Sequence, residues 1–258
     1  MHPTETVELN EKDTQRLLVP CLVEWMEIAS RMQRLSWDIL ADASNSIDPE
    51  TAAPPHRAAH YLCVRLNDEL RAVVALTERG FVIQALSLAA GMLEFAFTVG
   101  WIGRDLTRGN DWLTWDNRRT IPPLRVEEAI RATYQNGKKD FSDAQVKSEL
   151  ARYHRLCELK HGNPAERRQY GIDLDFRGLP NRIVGDRLSA EFVDASRWVL
   201  WLAVRYLWLG TCCYNDFHAS KEHHKPREIE LQSLRPLIHT TRERDEAATR
   251  DFRHLPYV

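Results

Sequence analysis

The stretch Phe81–Gly103 is almost continuously apolar, interrupted only by residues such as Gln84 and Glu94, and it limits what the chain can become. As a helix it spans roughly 30 Å, enough to cross a small domain or the hydrocarbon of a bilayer. Lipid or the middle of a helical core are the two places that accept it. A charged residue at the centre of a bilayer costs about 2.5–3.5 kcal/mol, and Glu94 lies near the middle of this segment. A core helix with one paired carboxylate avoids that cost. Trp198–Tyr214, with Arg205 at its middle, reads the same way. The expectation is therefore no membrane, and one central buried helix, Phe81 to about Arg104. Its Ala89-Ala90-Gly91 run would let a neighbouring helix approach closely.

The flanking segments carry the period of amphipathic helices. Leu18, Leu22, Trp25, Ala29, Met32, Leu35 and Ile39 recur in steps of three or four, and Pro20 marks the expected start of that helix. Ser44–Pro55 reads as a loop. The next helix places Ala59, Leu62, Leu66, Leu70, Val73, Val74 and Thr77 on one face and stops at Gly80. Both stripes are expected to pack on the Phe81–Arg104 helix. Asp105–Pro123, with Trp112 and Trp115, reads as an irregular connector. A short helix runs from Pro123 to about Gln135, and a capping-box pattern at Ser142–Gln145 opens another to about His161. Arg167–Asp186 reads as a loop or small hairpin, with alternation at Ile172–Phe176. The last strong helix is expected over about Ala190–Tyr214. From Asp216 the chain is polar, with weak helical pattern and breaks at Pro226 and Pro236.

These elements make an all-α bundle of long antiparallel helices. The expected organisation is a bundle over residues 1–215, with its core in 55–215. A polar extension, 216–258, would pack on it or trail from it. With 43% hydrophobic residues and a net charge of -2 in 258 residues, the chain is neither a disordered polymer nor a strongly basic nucleic-acid coat. Cys21, Cys63, Cys157, Cys212 and Cys213 are odd in number and lack a Cys-x-x-Cys pair. With no secretory leader pattern at the start, they point to reduced thiols and a cytoplasmic setting.

No Walker loop, GxGxxG, GxSxG or HExxH is present. The chemistry-bearing segment is Arg152-Tyr-His-Arg-Leu-Cys-Glu-Leu-Lys-His-Gly. On a helix His154, Cys157, Glu158 and His161 share one side. One reading makes Val146, Leu150, Tyr153 and Cys157 a core stripe with the histidines at its edge. A second takes Glu158-x-x-His161 as half of a di-metal site, but no second copy exists, so neither metal nor cofactor is expected. A third pairs Arg155, which holds a phosphate through two hydrogen bonds, with His161, which exchanges protons near neutral pH.

Arg155-x5-His161, taken with Ala85–Glu94 and Tyr153–Pro164, resembles the HEPN superfamily over roughly residues 55–215. Many of its members are metal-independent endoribonucleases of bacterial defence and toxin systems. The resemblance implies RNA cleavage by 2′-hydroxyl attack, with His161 as general acid/base and Arg155 as phosphate clamp. Glu94, His154, Glu158 and Arg152 would support them. On an ideal helix Arg155 and His161 point about 120° apart, so the site would need helix distortion or a homodimer that brings two motifs together. The bias toward Arg and Lys over residues 118–160 suits RNA, and equally a solvated helix face. The alternative function is a non-catalytic helical module that binds a ligand or a protein partner.

Three further features remain open at this level. Glu94 requires a partner, with Arg71, Arg197 or Arg205 as candidates, or else it orients His161 or Arg155. Trp201, Arg205 and Trp208 share a helix face, a cation–π arrangement. His223-His224 reads as a metal-binding pair or as an exposed tail.

Overall fold

In a computed structural model the apolar segment forms α3 (Val82–Ile102), a helix enclosed by others. The structure describes residues 3–46, 52–103, 105–114, 125–134, 143–160, 183–184, 187–188, 190–218 and 221–252. Among these, eight helices account for nearly everything: α1 (Pro3–Ser46), α2 (Pro54–Glu78), α3, α4 (Leu106–Thr114), α5 (Val126–Tyr134), α6 (Asp143–Lys160), α7 (Ala190–His218) and α8 (Lys221–Phe252). One antiparallel pair, β1 (Ile183–Val184) with β2 (Arg187–Leu188), joins Ile183 to Leu188 and Val184 to Arg187. The fold is all-α.

α3 packs on α2, α7, α6 and α5. Ala89, Leu93 and Phe97 are fully buried, as a helix apolar on nearly all sides requires. It has the length and hydropathy of a membrane span, and most of that span lies inside the protein. α2 lays its predicted stripe on α3. The seam of α1 goes elsewhere, mainly onto α7, with α2 and α8 beside it. α7 therefore shares the centre with α3.

α2 ends in a Schellman motif. Gly80 takes φ 81°, its N–H donates to Thr77 O, and the Phe81 N–H donates to Leu76 O at 2.8 Å. The reversal is tight enough to start α3 two residues later. Close helix approach comes from glycines other than Gly91, which faces open space. A Cβ at Gly100 would run into the Thr133 side chain of α5, and one at Gly210 into Leu66 of α2.

Three expectations about helix ends are corrected. Pro20 does not start α1; it lies inside it, on the exposed side, between the fully buried Leu18 and Leu22. The connector after Asp105 contains α4, whose Gly109 abuts Pro55 so closely that a Cβ would meet the Pro55 backbone. The segment after Asp216 is no broken tail, because α8 runs through both Pro226 and Pro236. Interior proline costs a helix about 3 kcal/mol, and packing offsets it here: Leu231, Leu234 and Ile238 are buried on one side of α8 while Pro236 faces solvent. Ser142, Ile172–Phe176 and Gly162 lie outside the described residues, as do the side chains of His223 and His224.

Polar clasps lock α8 in place. The Trp25 indole N–H donates to the buried Asp245 carboxylate at 2.7 Å, and Arg197 of α7 lies 3.4 Å from the same group. Arg244 and the Thr241 hydroxyl engage Glu24, and the hydrogen bond from Arg244 leads in holding the Glu24 carboxyl below its usual range. Arg227 reaches Asp38 and Asp42 of α1.

Candidate functional site

α7 presents a second face, away from the apolar centre, bearing Trp198, Trp201, Arg205 and Trp208. α6 lies along that face, and α5 and α8 close its sides. Between them is a cavity of about 600 Å³, within the range of small-ligand sites. Its wall takes Tyr134 from α5, Glu149 and Arg152 from α6, Trp201, Arg205 and Trp208 from α7, and Arg235, His239, Arg242 and Glu243 from α8. A second cavity, about 280 Å³ between α1 and α2, is smaller and holds only Arg71 and Glu78 as charged lining.

The deep end of the larger cavity is an ion-pair network around Glu149, whose side chain is 4% exposed. Arg205 grips it with both terminal nitrogens, Nη1 at 3.1 Å, and Arg152 Nη1 lies 2.6 Å away. The hydroxyls of Tyr134 and Tyr206 each donate to it at 3.3 Å. Burial pushes the Glu149 carboxyl up, but Arg205 and Arg152 together pull harder, and it lies below the usual carboxylate range. Burial pushes Arg205 down, and the Glu149 charge and hydrogen bond together with Tyr206 and Tyr134 more than reverse this. A buried carboxylate with two guanidiniums leaves one positive charge in excess at this depth, which a single Arg–Glu pair would not.

The tryptophans hold the guanidiniums in line. Arg152 lies 5.1 Å, Arg205 5.7 Å and Arg242 5.9 Å from the centre of the Trp201 ring, and Arg235 lies 5.9 Å from that of Trp208. All four are within the reach of cation–π attraction. Trp208 anchors itself by donating to Leu231 O at 2.8 Å. The buried indole N–H of Trp201 has no hydrogen-bond partner among the described residues, a donor whose isolation costs about 1–3 kcal/mol. Arg242 is tied to Asp194 at 3.2 Å. Arg235 is exposed and has no carboxylate partner among the described residues.

The cavity's titratable groups are biased away from nucleophilic chemistry. Burial pushes Tyr134 up to about 12 and the Cys212 thiol well above its ordinary value. Glu149 is committed to two arginines. Burial first, then Arg205 and Arg235, hold His239 below the usual histidine range, against an opposite pull from Glu243.

The residues expected to carry chemistry are divided by this geometry. Arg152 lines the cavity. Arg155 is half-buried, 5.9 Å from the Trp198 ring. His154 and Glu158 are exposed on the other side of α6. Glu94 is half-buried on α3 and accepts a hydrogen bond from the Tyr153 hydroxyl at 3.2 Å, so its described hydrogen-bond partner is a tyrosine and not Arg71, Arg197 or Arg205. His161 lies outside the described residues. In the core stripe of α6, Leu156 is fully buried and Val146 nearly so, while Leu150, Tyr153 and Cys157 are half-buried. Leu156 thus takes the place expected of Cys157.

Glu149, Tyr134, Tyr206, Arg235, His239 and Arg242 were not anticipated. Two patterns point to them: Glu149 three residues before Arg152, and Arg235, His239 and Arg242 in steps of four and three on one helix face. Fold and site define an all-α protein with an arginine–tryptophan cleft on the flank of its bundle. The chain is matched by no family model, no curated protein and no solved structure.

Proposed function

We propose that this protein is a helical binding module that takes a small anionic ligand in the α5–α8 cleft. The observation that carries this reading is a ligand-sized cavity with four guanidiniums in its wall, of which Arg235 is exposed and without a carboxylate partner among the described residues. Guanidinium groups only donate, in a planar fork that matches carboxylate and phosphate. The raised Tyr134 and Cys212 support binding over chemistry, because neither is poised as a nucleophile near neutral pH.

The test is a panel of small phosphates, sulfonates and carboxylates, followed by thermal melting and calorimetry. Binding weakened about tenfold or more by Arg235→Gln supports the reading. Binding indifferent to Arg235, or none across the panel, overturns it.

The endoribonuclease of HEPN type is the competing proposal, resting on Arg155 and His161. The same preparation decides it. Total RNA cut in EDTA to 2′,3′-cyclic phosphate ends, with the cut lost in Arg155→Ala and His161→Ala, would establish it. General acid–base catalysis contributes about 10²–10⁴-fold, so the loss would be plain. Sedimentation would report the homodimer that this second reading requires.

A further inference from the structure

Among the described residues of the cleft, positive and negative charge are nearly matched. Arg152, Arg205, Arg235 and Arg242 face Glu149, Asp216 and Glu243 across the cavity, and Asp194 stands behind Arg242. With His239 neutral, these cations and carboxylates balance. With His239 protonated, the wall is positive. His239 lies one helical turn after Arg235 and one before Arg242, so its ring sits in a row of cations on α8. Opposite that row stand Arg152 and Glu149 of α6, Arg205, Asp216, Cys212 and Cys213 of α7, and Tyr134 of α5. Glu243, on the next turn of α8, is the acid beside the ring.

We propose that Arg235 and His239 form the anion seat of the cleft, and that a ligand with an anionic head and a flat apolar body binds there with uptake of one proton on His239. The inference rests on the cleft being a binding site. The flat body is argued from the apolar part of the wall, where the half-buried Trp208 and Leu209 offer a surface that a bare inorganic anion would leave unused. The head is argued from Arg235, the exposed fork, and from the excess positive charge at the Glu149 end. The proton follows from the row itself. An anion placed between Arg235 and His239 offsets the repulsion from Arg205 and Arg235 that adds to burial in disfavouring the imidazolium, and a protonated ring then gives the anion a second charged donor.

The sign is determined by linkage. His239 in the free protein lies below its ordinary range because of burial, Arg205 and Arg235, and an anion raises it. A ligand that raises a group's affinity for protons binds more tightly as pH falls through the interval between the free and bound values, by at most about tenfold per pH unit for one proton.

Naphthalene-1-sulfonate is a suitable probe, since it is flat and its charge is constant from pH 5 to 8. Calorimetry of the full chain at pH 7.5, 6.5 and 5.5, in two buffers of different ionisation heat, reads affinity and proton uptake together. The expected result is affinity that rises several-fold over this range with up to one proton taken up. In His239→Gln the pH dependence should flatten, and in Arg235→Gln affinity should fall about tenfold at every pH. Wild-type binding without proton uptake, or pH dependence kept in His239→Gln, overturns the proton-linked seat while leaving the cleft as a binding site. Absence of binding at every pH overturns the seat, and if the wider anion panel is also empty, the binding-module reading goes with it.

Discussion

The two faces of α7 solve opposite problems with one helix. Toward α2 and α3 it presents Ala195, Val199, Leu202, Ala203 and the close approach at Gly210, and the residues there are all but fully buried. Toward α6 and α8 it presents Trp201, Arg205 and Trp208 around Glu149 and a cavity. The first face is held by area and packing, which are insensitive to pH and salt. The second is held by a few charges taken out of water, where each member matters because its partners depend on it. The lesson is that the same helix is robust on one side and conditional on the other, and the conditional side is where a ligand has something to change.

The sharpest way to break this contrast is to remove Glu149. Glu149→Gln leaves Arg205 and Arg152 facing each other without an anion, and should cost about 3–5 kcal/mol by chemical denaturation at pH 7. The sign with pH follows from the depressed Glu149 carboxyl: its contribution is present above its unfolded value near 4.5 and is lost as pH falls through the lower folded value. Wild type and variant should therefore converge in acid. Equal differences at pH 7 and pH 3 would show that Glu149 acts through packing alone.

Next in size is the apolar face. Leu93→Ala, at a fully buried position of α3, should cost about 2–5 kcal/mol, with the same loss at pH 7 and pH 4 and at low and high salt. A marked salt dependence would erase the distinction between the two faces. Smaller still is Pro20→Ala. Restoring the backbone donor inside α1 should stabilise by about 1–3 kcal/mol, read as a higher melting temperature, and a loss of stability would mean that the ring is itself a packing element. Smallest is Arg235→Gln, whose exposed side chain has no carboxylate partner among the described residues. Stability should move by no more than about 0.5 kcal/mol, while anion binding weakens as argued above. A large fall in stability would place Arg235 in the scaffold and remove it from the seat.

Much of the architecture was legible from periodicity. The all-round apolar α3, the stripes of α1 and α2 and the Gly80 stop follow from spacing that any helix of those residues must obey. Where that reading failed, it failed at prolines, at partners and in the connector that contains α4. Pro20, Pro226 and Pro236 are local breaks, and local rules cannot weigh them against the buried Leu18, Leu22, Leu234 and Ile238 that keep those helices continuous. The α1 seam was visible, but its destination, α7 and not α3, was not, since a stripe reports that it must be buried and not by what. Of the residues expected to carry chemistry, Arg152 is in the cleft, Arg155 rests on Trp198, and His154 and Glu158 face water.

Sequence alone determined most of the helices, α4 and α8 excepted, and which of their faces must leave water, because both depend on the order of residues a few positions apart. The cleft was decided only by tertiary structure. Glu149 and Arg205 are 56 positions apart, and Trp25 and Asp245 are 220 apart. Charge pairing in a low-dielectric interior depends on distances of a few ångströms that no local pattern encodes. It was the docking of α8 across α7 and α1 that brought Arg235 over Trp208 and His239 into the cavity wall, and turned a polar segment into the wall of a site.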